Sequence, residues 1–182
     1  QLPNLCPHFH LSLQSGCDDT LRRMNRKYDT ARFYESVTLL RRYFDRPAIT
    51  TDLICGFPGE TEAEFDATLS FIEKCGFAAM HIFPYSIRPG TKAAAMEQVP
   101  SAVKEQRAGR AAQAAETMRQ TYLQGCVGRV YPVLFEQEKD GYYTGHAPNY
   151  CEVGVRANDL HNKVLDVKIT GVSGEMLIGE LT

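Results

Sequence analysis

Three short segments concentrate the side chains that could hold a small ligand. They are His10, Ser12, Gln14 and Ser15, then Asp52 and Ile54 running into Gly56-Phe57-Pro58-Gly59-Glu60, then Phe83, Tyr85, Ser86 and Arg88. His10, Ser12 and Gln14 stand two residues apart, so on a strand they share one face and form a polar stripe. Such a stripe suits the hydroxyls and carboxylates of a ligand. It equally suits hydrogen bonds to a neighbouring strand, because buried polar groups need partners whatever their role. Gly56 and Gly59 permit close backbone approach to a ligand, or serve only a turn. Arg88 can pair with phosphate or carboxylate, or lie solvated, and Asp52 can be a plain strand-end acceptor.

A second group is basic. Arg22, Arg23, Arg26 and Lys27 fall within six residues, a density that suits phosphate contacts driven by counterion release and equally a solvated helix face. The six cysteines, Cys6, Cys17, Cys55, Cys75, Cys126 and Cys151, include no CxxC or CxxxC pair. Tetrahedral zinc sites and iron-sulfur clusters usually draw on closely spaced thiolates, so no metal set is assigned to these residues. They are also too sparse for a disulfide scaffold, and scattered core thiols are the expected reading. No catalytic side chain is assigned either.

Periodicity supplies the elements that must position these residues. Residues 8–14 alternate apolar with polar and end at Ser15-Gly16, as a strand does. A short helix is expected from Asp18 and Asp19, and a second over 30–45, capped by Thr30, with Phe33, Val37 and Leu40 at helical spacing. Residues 48–55 form the next strand. Thr61 and Glu64 make a T-x-x-E capping box for a helix over 61–75, with Phe65, Leu69 and Ile72 on one face and Gly76 as its stop. A third strand spans 78–85, and a loop runs from Pro89-Gly90 to Pro100. Ser101 is expected to cap a long helix with Ala108, Ala111, Ala112, Ala115, Met118 and Tyr122 on one stripe, stopped by Gly125. Strand, helix, strand, helix, strand predicts parallel β/α units, whose ligands bind at the carboxyl ends of the strands. Beyond Cys126 the pattern changes to five short β runs, 129–137, 141–146, 149–156, 162–170 and 175–181, which predict a small OB-like barrel. The expected division is therefore an α/β part over 1–125 and an all-β part over 126–182.

At 182 residues, with 43% apolar and 23% charged side chains, the chain can bury a real core, and disordered, collagenous and coiled-coil classes are excluded. No apolar run is long enough to span a bilayer and no signal peptide is evident, so a cytoplasmic setting with no membrane partner is expected. The chain opens on Gln1 with a strand close behind, and is expected to begin inside a larger protein. Its net charge of −2 hides a segregation. Residues 21–47 carry eight Lys/Arg against three acids, whereas residues 130–182 carry four against eight.

The runs HFHLSLQSGCDDTLRRMNRKY (8–28), TDLICGFPGETEAEF (51–65) and PYSIRPGTKAAAM (84–96) resemble the radical S-adenosylmethionine methylthiotransferases. Within them, Cys17-Asp18 after Gln14-Ser15-Gly16 is most similar to the branch acting on tRNA threonylcarbamoyladenosine. GHAPNYCEVGV and VKITGV in the last third resemble the TRAM domain that ends such proteins. The resemblance covers the whole chain in order, but the family's N-terminal cluster domain and its CxxxCxxC loop have no counterpart. It implies the C-terminal half of a radical SAM (β/α) partial barrel followed by a five-stranded TRAM barrel. It also implies S-adenosylmethionine as cofactor, cleaved to a 5′-deoxyadenosyl radical at one of two 4Fe-4S clusters, the other delivering a methylthio group to the adenine beside the anticodon. The cluster ligands would lie in an upstream part of the same chain, and tRNA would be the substrate. Carried over by strand position, Ser12 and Gln14 would face the ribose or methionine part of the cofactor. Ile54 and Gly56 would approach the adenine, and Phe83 and Tyr85 would close that site. Arg22, Arg23, Arg26, Lys27 and Arg88 would face RNA.

Other readings stay open from sequence alone. One is a non-catalytic RNA-binding module, in which the acidic TRAM-like tail contacts RNA through aromatics such as Tyr142, Tyr143 and Tyr150. Another is the isopentenyladenosine or ribosomal-protein branch of the same family. A third is an unrelated phosphate-binding β/α enzyme whose GFPGE loop cradles an anion. The cysteine spacing makes one prediction: this chain alone, reconstituted anaerobically with iron and sulfide, is expected to show no visible charge-transfer absorbance and no methylthiolation. A stoichiometric cluster surviving gel filtration would overturn it.

Overall fold

The computed structural model describes residues 4–182. Its elements run β1 (His8–His10), α1 (Asp18–Arg23), α2 (Thr30–Tyr43), β2 (Ala48–Cys55), α3 (Glu62–Cys75), β3 (Ala79–Pro84), a 3-10 turn (Lys92–Ala95) and α4 (Ser101–Gln124). Five further strands follow: β4 (Val130–Lys139), β5 (Tyr142–His146), β6 (Glu152–Val155), β7 (Val164–Ser173) and β8 (Met176–Leu181). The chain divides into two compact units. One comprises Phe9–Asp45 with Ile49–Met118; the other comprises the residues up to His8, Arg46–Ala48 and Arg119–Thr182. The division falls inside α4, earlier than the expected boundary at 125, because the last turn of that helix packs with the barrel unit. There Tyr122 donates its hydroxyl to the Arg46 carbonyl and accepts from Asn149.

In the first unit β1, β2 and β3 lie side by side with β2 central, and β2 pairs β3 in parallel from Thr50 opposite Ala79 to Cys55 opposite Pro84. Alternation sorts the faces of this sheet. Ile49, Leu53 and Cys55 join Leu13, Phe33, Val37, Phe65, Ile72, Cys75 and Phe77 in one buried cluster, with Met80 and Ile82 of β3 packed against it. The helices therefore cover one face only. Each begins where local chemistry favours it. The α3 capping box forms as expected, with Thr61 accepting from the Glu64 amide and Glu64 reaching back to the Thr61 amide, and Gly76 ends the helix in the left-handed conformation. Asp29, rather than Thr30, caps α2 by accepting from the Arg32 amide. Thr30 is its first helical residue, and its own amide is taken by Asp18 Oδ1.

The first strand is shorter than the sequence implies. After His10 the ladder is interrupted: the Thr51 hydroxyl donates to the Leu11 carbonyl and accepts from the Leu13 amide, and Tyr28 Oη donates to the carbonyls of Ser12 and Leu13. Leu11 keeps one backbone bond, from its amide to the Thr50 carbonyl at 2.9 Å, and side chains take the carbonyls of residues 11–13 and the Leu13 amide. Pairing returns at Gln14, whose φ is +68°, through its amide to the Asp52 carbonyl and its carbonyl to the Ile54 amide. The α4 stripe also differs. Lys104 and Arg107, with Ala111, Met118, Tyr122 and Leu123, are the buried positions, whereas Ala112 is exposed.

The five strands of the second unit close into a barrel in the order β4-β5-β6-β8-β7, antiparallel except for β6 beside β8. Val133, Phe135, Val153, Val155, Val167, Ile169 and Leu177 fill it by strict alternation. The mixture of a parallel α/β sheet and a closed five-stranded barrel is the architecture the periodicities predict. Closure brings backbones very near at two glycines. A Cβ on Gly145 would lie 2.0 Å from the Leu134 carbonyl oxygen, and one on Gly179 would lie 2.4 Å from Val167 Cγ1. Gly145→Ala is therefore expected to destabilise the protein by about 3 kcal/mol in chemical denaturation, since backbone rather than a mobile side chain must yield. Gly171→Ala, where nothing lies within 4 Å, is the control and should change stability by no more than about 0.5 kcal/mol.

Candidate functional site

The uncovered face of the sheet carries the polar and aromatic residues. His10 bridges Thr50 Oγ1 at 3.0 Å and Asp52 Oδ2 at 3.2 Å, so its ring serves the neighbouring strand. At the carboxyl ends of the strands a cavity of about 370 Å³ is lined by Gln14, Asp52, Ile54, Phe83, Pro84, Tyr85, Ser86 and Arg88. Register explains the gathering, because Ile54 stands opposite Phe83 and Gln14 bridges Leu53 on the other side of β2. One wall is aromatic and apolar, from Ile54, half-exposed Phe83 and Tyr85. Gln14, Asp52, Ser86 and Arg88 contribute an amide, a carboxylate, a hydroxyl and a guanidinium.

Five residues singled out from sequence, Gln14, Ile54, Phe83, Tyr85 and Arg88, thus meet in one place, Arg88 joining the group expected for the cofactor rather than RNA. Ser12 is exposed and does not line the cavity. Gly56 is also outside it. The position a Cβ would take on Gly56 lies 2.5 Å from Lys104 Cγ, so the space expected to admit adenine is filled by this chain's own α4. Glycine is required at 56 by that packing and by a φ of +72°.

The turn after β2 is closed by a buried ion pair. Glu60 Oε2 accepts from the Gly56 amide at 2.8 Å and from Arg107 Nη1 at 2.9 Å, and Arg107 Nη1 also donates to the Glu60 carbonyl. The two side chains are 1% and 5% exposed, so neither is a surface charge. Burial raises the pKa of Glu60, and the Gly56 amide and Arg107 oppose that rise. A carboxylate of the chain itself occupies the amide of this glycine turn, which argues against the loop as a phosphate cradle. Burial likewise pushes the neighbouring Cys55 thiol up to about 12, leaving it unreactive near neutrality.

The basic run separates into different roles. Arg22, Arg26 and Lys27, joined by Arg32, line a cleft of about 440 Å³ with Asp18, Tyr28 and Asp29. Arg22 pairs with Asp19, and Lys27 donates to Asn25. Arg23, expected to face RNA, is instead an internal tie: Nη1 and Nη2 donate to both oxygens of Glu64 at 2.9 and 2.7 Å. This links α1 to the capping box of α3. Cys17, Asp19 and Glu64 bring ligand atoms within 4.8 Å of one another, the group of that kind among the described residues. Its carboxylates are engaged by Arg22 and Arg23. Cys126 and Cys151 meet in the barrel unit, where the Cys151 thiol donates toward Cys126 and holds it below the usual thiol range. Sequence reasoning missed Lys104 and Arg107 as residues of this region, since a helix so far along the chain from the glycine turn carries no local sign of what it will meet.

Comparisons with known proteins bear on the sequence and the fold. Residues 2–72 match the model of the Radical SAM superfamily. The solved structure titled "Coproporphyrinogen III oxidase (HemN) from Escherichia coli is a Radical SAM enzyme" shares the fold, with a TM-score of 0.52 at 13% identity over 90% of this chain and 41% of that one. Residues 2–72 are thus similar to the radical SAM domain, and the fold to that of one radical SAM enzyme. The chain is 40% identical over 181 residues to the threonylcarbamoyladenosine tRNA methylthiotransferase MtaB of Thermotoga maritima. It is 38% identical over 179 residues to the protein of that name from Chlamydia pneumoniae, and 37% over 183 residues to tRNA-2-methylthio-N(6)-dimethylallyladenosine synthase of Orientia tsutsugamushi. Each alignment takes in 97% of this chain, which is consistent with a fragment of that methylthiotransferase family. It spans about two fifths of the length of these curated relatives, 40 to 42%.

The Arg23–Glu64 tie predicts a pH dependence. Hydrogen bonding from Arg23 lowers the Glu64 pKa below its ordinary value of 4.5. The pair therefore stabilises the fold above that value and loses its contribution as pH falls through the lower folded value. Arg23→Gln is expected to cost about 1 to 2 kcal/mol at pH 7, and the difference from the parent protein should shrink below about pH 4. Denaturant titrations at several pH values read both.

Proposed function

We propose that this chain is the cofactor-facing and RNA-facing part of a methylthiotransferase that modifies threonylcarbamoyladenosine beside the tRNA anticodon, in the cytoplasm. The observation that carries this reading is the cavity at the carboxyl edge of β2 and β3, where an aromatic and apolar wall stands beside a carboxylate, an amide and a guanidinium. S-adenosylmethionine, which the family implies, matches this set. Ile54, Phe83 and Tyr85 suit the faces of an adenine, the Asp52 carboxylate suits ribose hydroxyls, and Gln14 and Arg88 suit the amino-acid end. When bound, the cofactor supplies a sulfonium whose cleavage starts the chemistry. The residues here bind and orient it and exclude water from its apolar part.

The cysteines of this chain do not fit an iron-sulfur cluster. Cys55, Cys75, Cys126 and Cys151 are buried at separate places or in a pair, and the group of three ligand-bearing residues that converges among the described residues holds a single cysteine, Cys17. We assign the two cluster sites of the family to the remainder of the whole protein and derive no step through them here. Among the described residues no helix is long and apolar enough to cross a membrane. The cleft of Arg22, Arg26, Lys27 and Arg32 is proposed to take tRNA phosphates. The barrel, proposed to be a TRAM domain, has a second surface cavity of about 490 Å³ that includes Tyr142 and Arg156. The 37% identity to the dimethylallyladenosine synthase favours a second reading, in which the modified base carries that group instead.

Both surfaces are tested in the full-length enzyme. Gln14→Ala is expected to weaken S-adenosylmethionine binding about tenfold while tRNA affinity stays within about twofold. Replacing Arg22, Arg26 and Lys27 together by Gln should do the reverse, lowering the salt slope of tRNA binding by about two. If that variant keeps its tRNA affinity and loses the cofactor, the cleft holds the cofactor's carboxylate and the RNA surface lies elsewhere. Mass spectrometry of the modified nucleoside separates the two bases.

A further inference from the structure

Lys104 stands on the first turn of α4 with only 7% of its surface exposed. Burying an ammonium is costly unless a carboxylate or several acceptors receive it. Arg107, one turn further along, follows that rule with Glu60 and Glu62. Lys104 does not. Its Nζ donates to the Tyr85 carbonyl at 3.1 Å and lies 5.2 Å from the centre of the Tyr85 ring, and among the described residues no carboxylate pairs with it. The cation is directed at a single residue, and that residue lines the cavity.

The surroundings are arranged for this contact. The Lys104 stem lies in the space that a side chain at 56 would need, so Gly56 is the opening through which it reaches the end of β3. Tyr85 is held from its other side as well: its amide donates to the Cys55 carbonyl at 2.8 Å, and its ring packs edge-on against buried Phe57 at 5.2 Å. Residues 86–90 beyond it are exposed and belong to no helix or strand. Tyr85 is thus the last held residue before the segment that brings Ser86 and Arg88 to the cavity.

We infer that Lys104 is a positioning residue for ligand binding: from α4 it fixes the backbone and ring of Tyr85, and so sets the aromatic wall of the cavity without touching the ligand. This rests on the reading that the cavity takes the adenosine part of S-adenosylmethionine, and adds to it a residue that acts on affinity through Tyr85. A cation over the far side of a ring and a donor on its carbonyl keep the ring in one place before the ligand arrives, which saves ordering cost on binding.

The test uses the full-length, cluster-loaded enzyme and equilibrium dialysis with S-adenosylmethionine. Lys104→Met keeps the stem beside Gly56 and removes the charge. It is expected to weaken binding about tenfold, to leave 5′-deoxyadenosine formation at saturating cofactor within about twofold, and to shift the thermal midpoint by no more than about 3 °C. Lys104→Arg should recover most of the affinity. Tyr85→Leu should cost about tenfold, and the double variant no more than the greater single loss, because both remove one arrangement. A double variant weakened about a hundredfold, or Lys104→Met at parental affinity, overturns the inference while leaving the cavity reading intact. Tyr85→Leu at parental affinity overturns both. Should Lys104→Met fail to fold, Lys104→Gln is read in the same cycle with the same criteria.

Discussion

The buried pair of Glu60 with Arg107 is the constraint on which the α/β unit depends. A glycine turn after a strand leaves backbone amides that must be satisfied, and here the chain's own carboxylate takes one of them while a guanidinium from α4 neutralises it. Removing either partner would leave a charge in a site that water scarcely reaches, a change that typically costs about 3 to 5 kcal/mol. The same guanidinium continues to Glu62, and Arg110 pairs with Glu62 and Asp66. The first turn of α3 and the first half of α4 are thereby joined through charges of opposite sign, one helix supplying acids and the other bases. The burial of Lys104 follows from this docking, since the helix can approach the turn so closely only where Gly56 has no side chain.

The two faces of the small parallel sheet divide the labour. Odd positions of β2 and even positions of β3 face the helices and carry nearly all the apolar burial. Even positions of β2 and odd positions of β3 carry Thr50, Asp52, Ile54, His81 and Phe83, a polar and aromatic surface that no helix among the described residues covers. A face left this polar contributes little to folding. Its composition makes sense as a binding surface, in keeping with the location of sites at the carboxyl ends of parallel strands. The barrel unit follows the opposite logic. Its alternating apolar residues fill a closed interior, and its tightest demands are steric, at Gly145 and Gly179, where neighbouring backbone comes close.

Charge is used differently in each place. Arg23, Arg107 and Arg110 are tied to carboxylates and hold elements together. Arg22, Arg26, Lys27 and Arg32 share a cleft, and there two acids, Asp18 and Asp29, are spent on amides at the start of α2. Arg22 and Arg32 are themselves paired with Asp19 and Glu35, so the capacity of the cleft for an anion rests on Arg26 and Lys27.

Much of this was legible in the sequence because it is local. The span of β2, the capping box at Thr61 and Glu64, the stop at Gly76 and the five β runs of the barrel each depend on residues within a few positions of one another. The convergence of Gln14, Ile54, Phe83 and Tyr85 was also readable, since parallel strands bring their carboxyl ends to one edge. What only the tertiary structure decided involves partners far apart in the chain. Thr51 ends β1 early by standing in for its ladder. Glu64 takes Arg23 out of the basic run. Lys104 closes the space above Gly56, and the first buried positions of α4 are cations rather than the alanines of its apparent stripe. Thr51 meets Leu13 across 38 residues and Arg23 meets Glu64 across 41, while Lys104 finds its acceptor, the Tyr85 carbonyl, across 19 and packs its stem over Gly56. Periodicity records which side chains avoid water, but not which distant polar group will receive them.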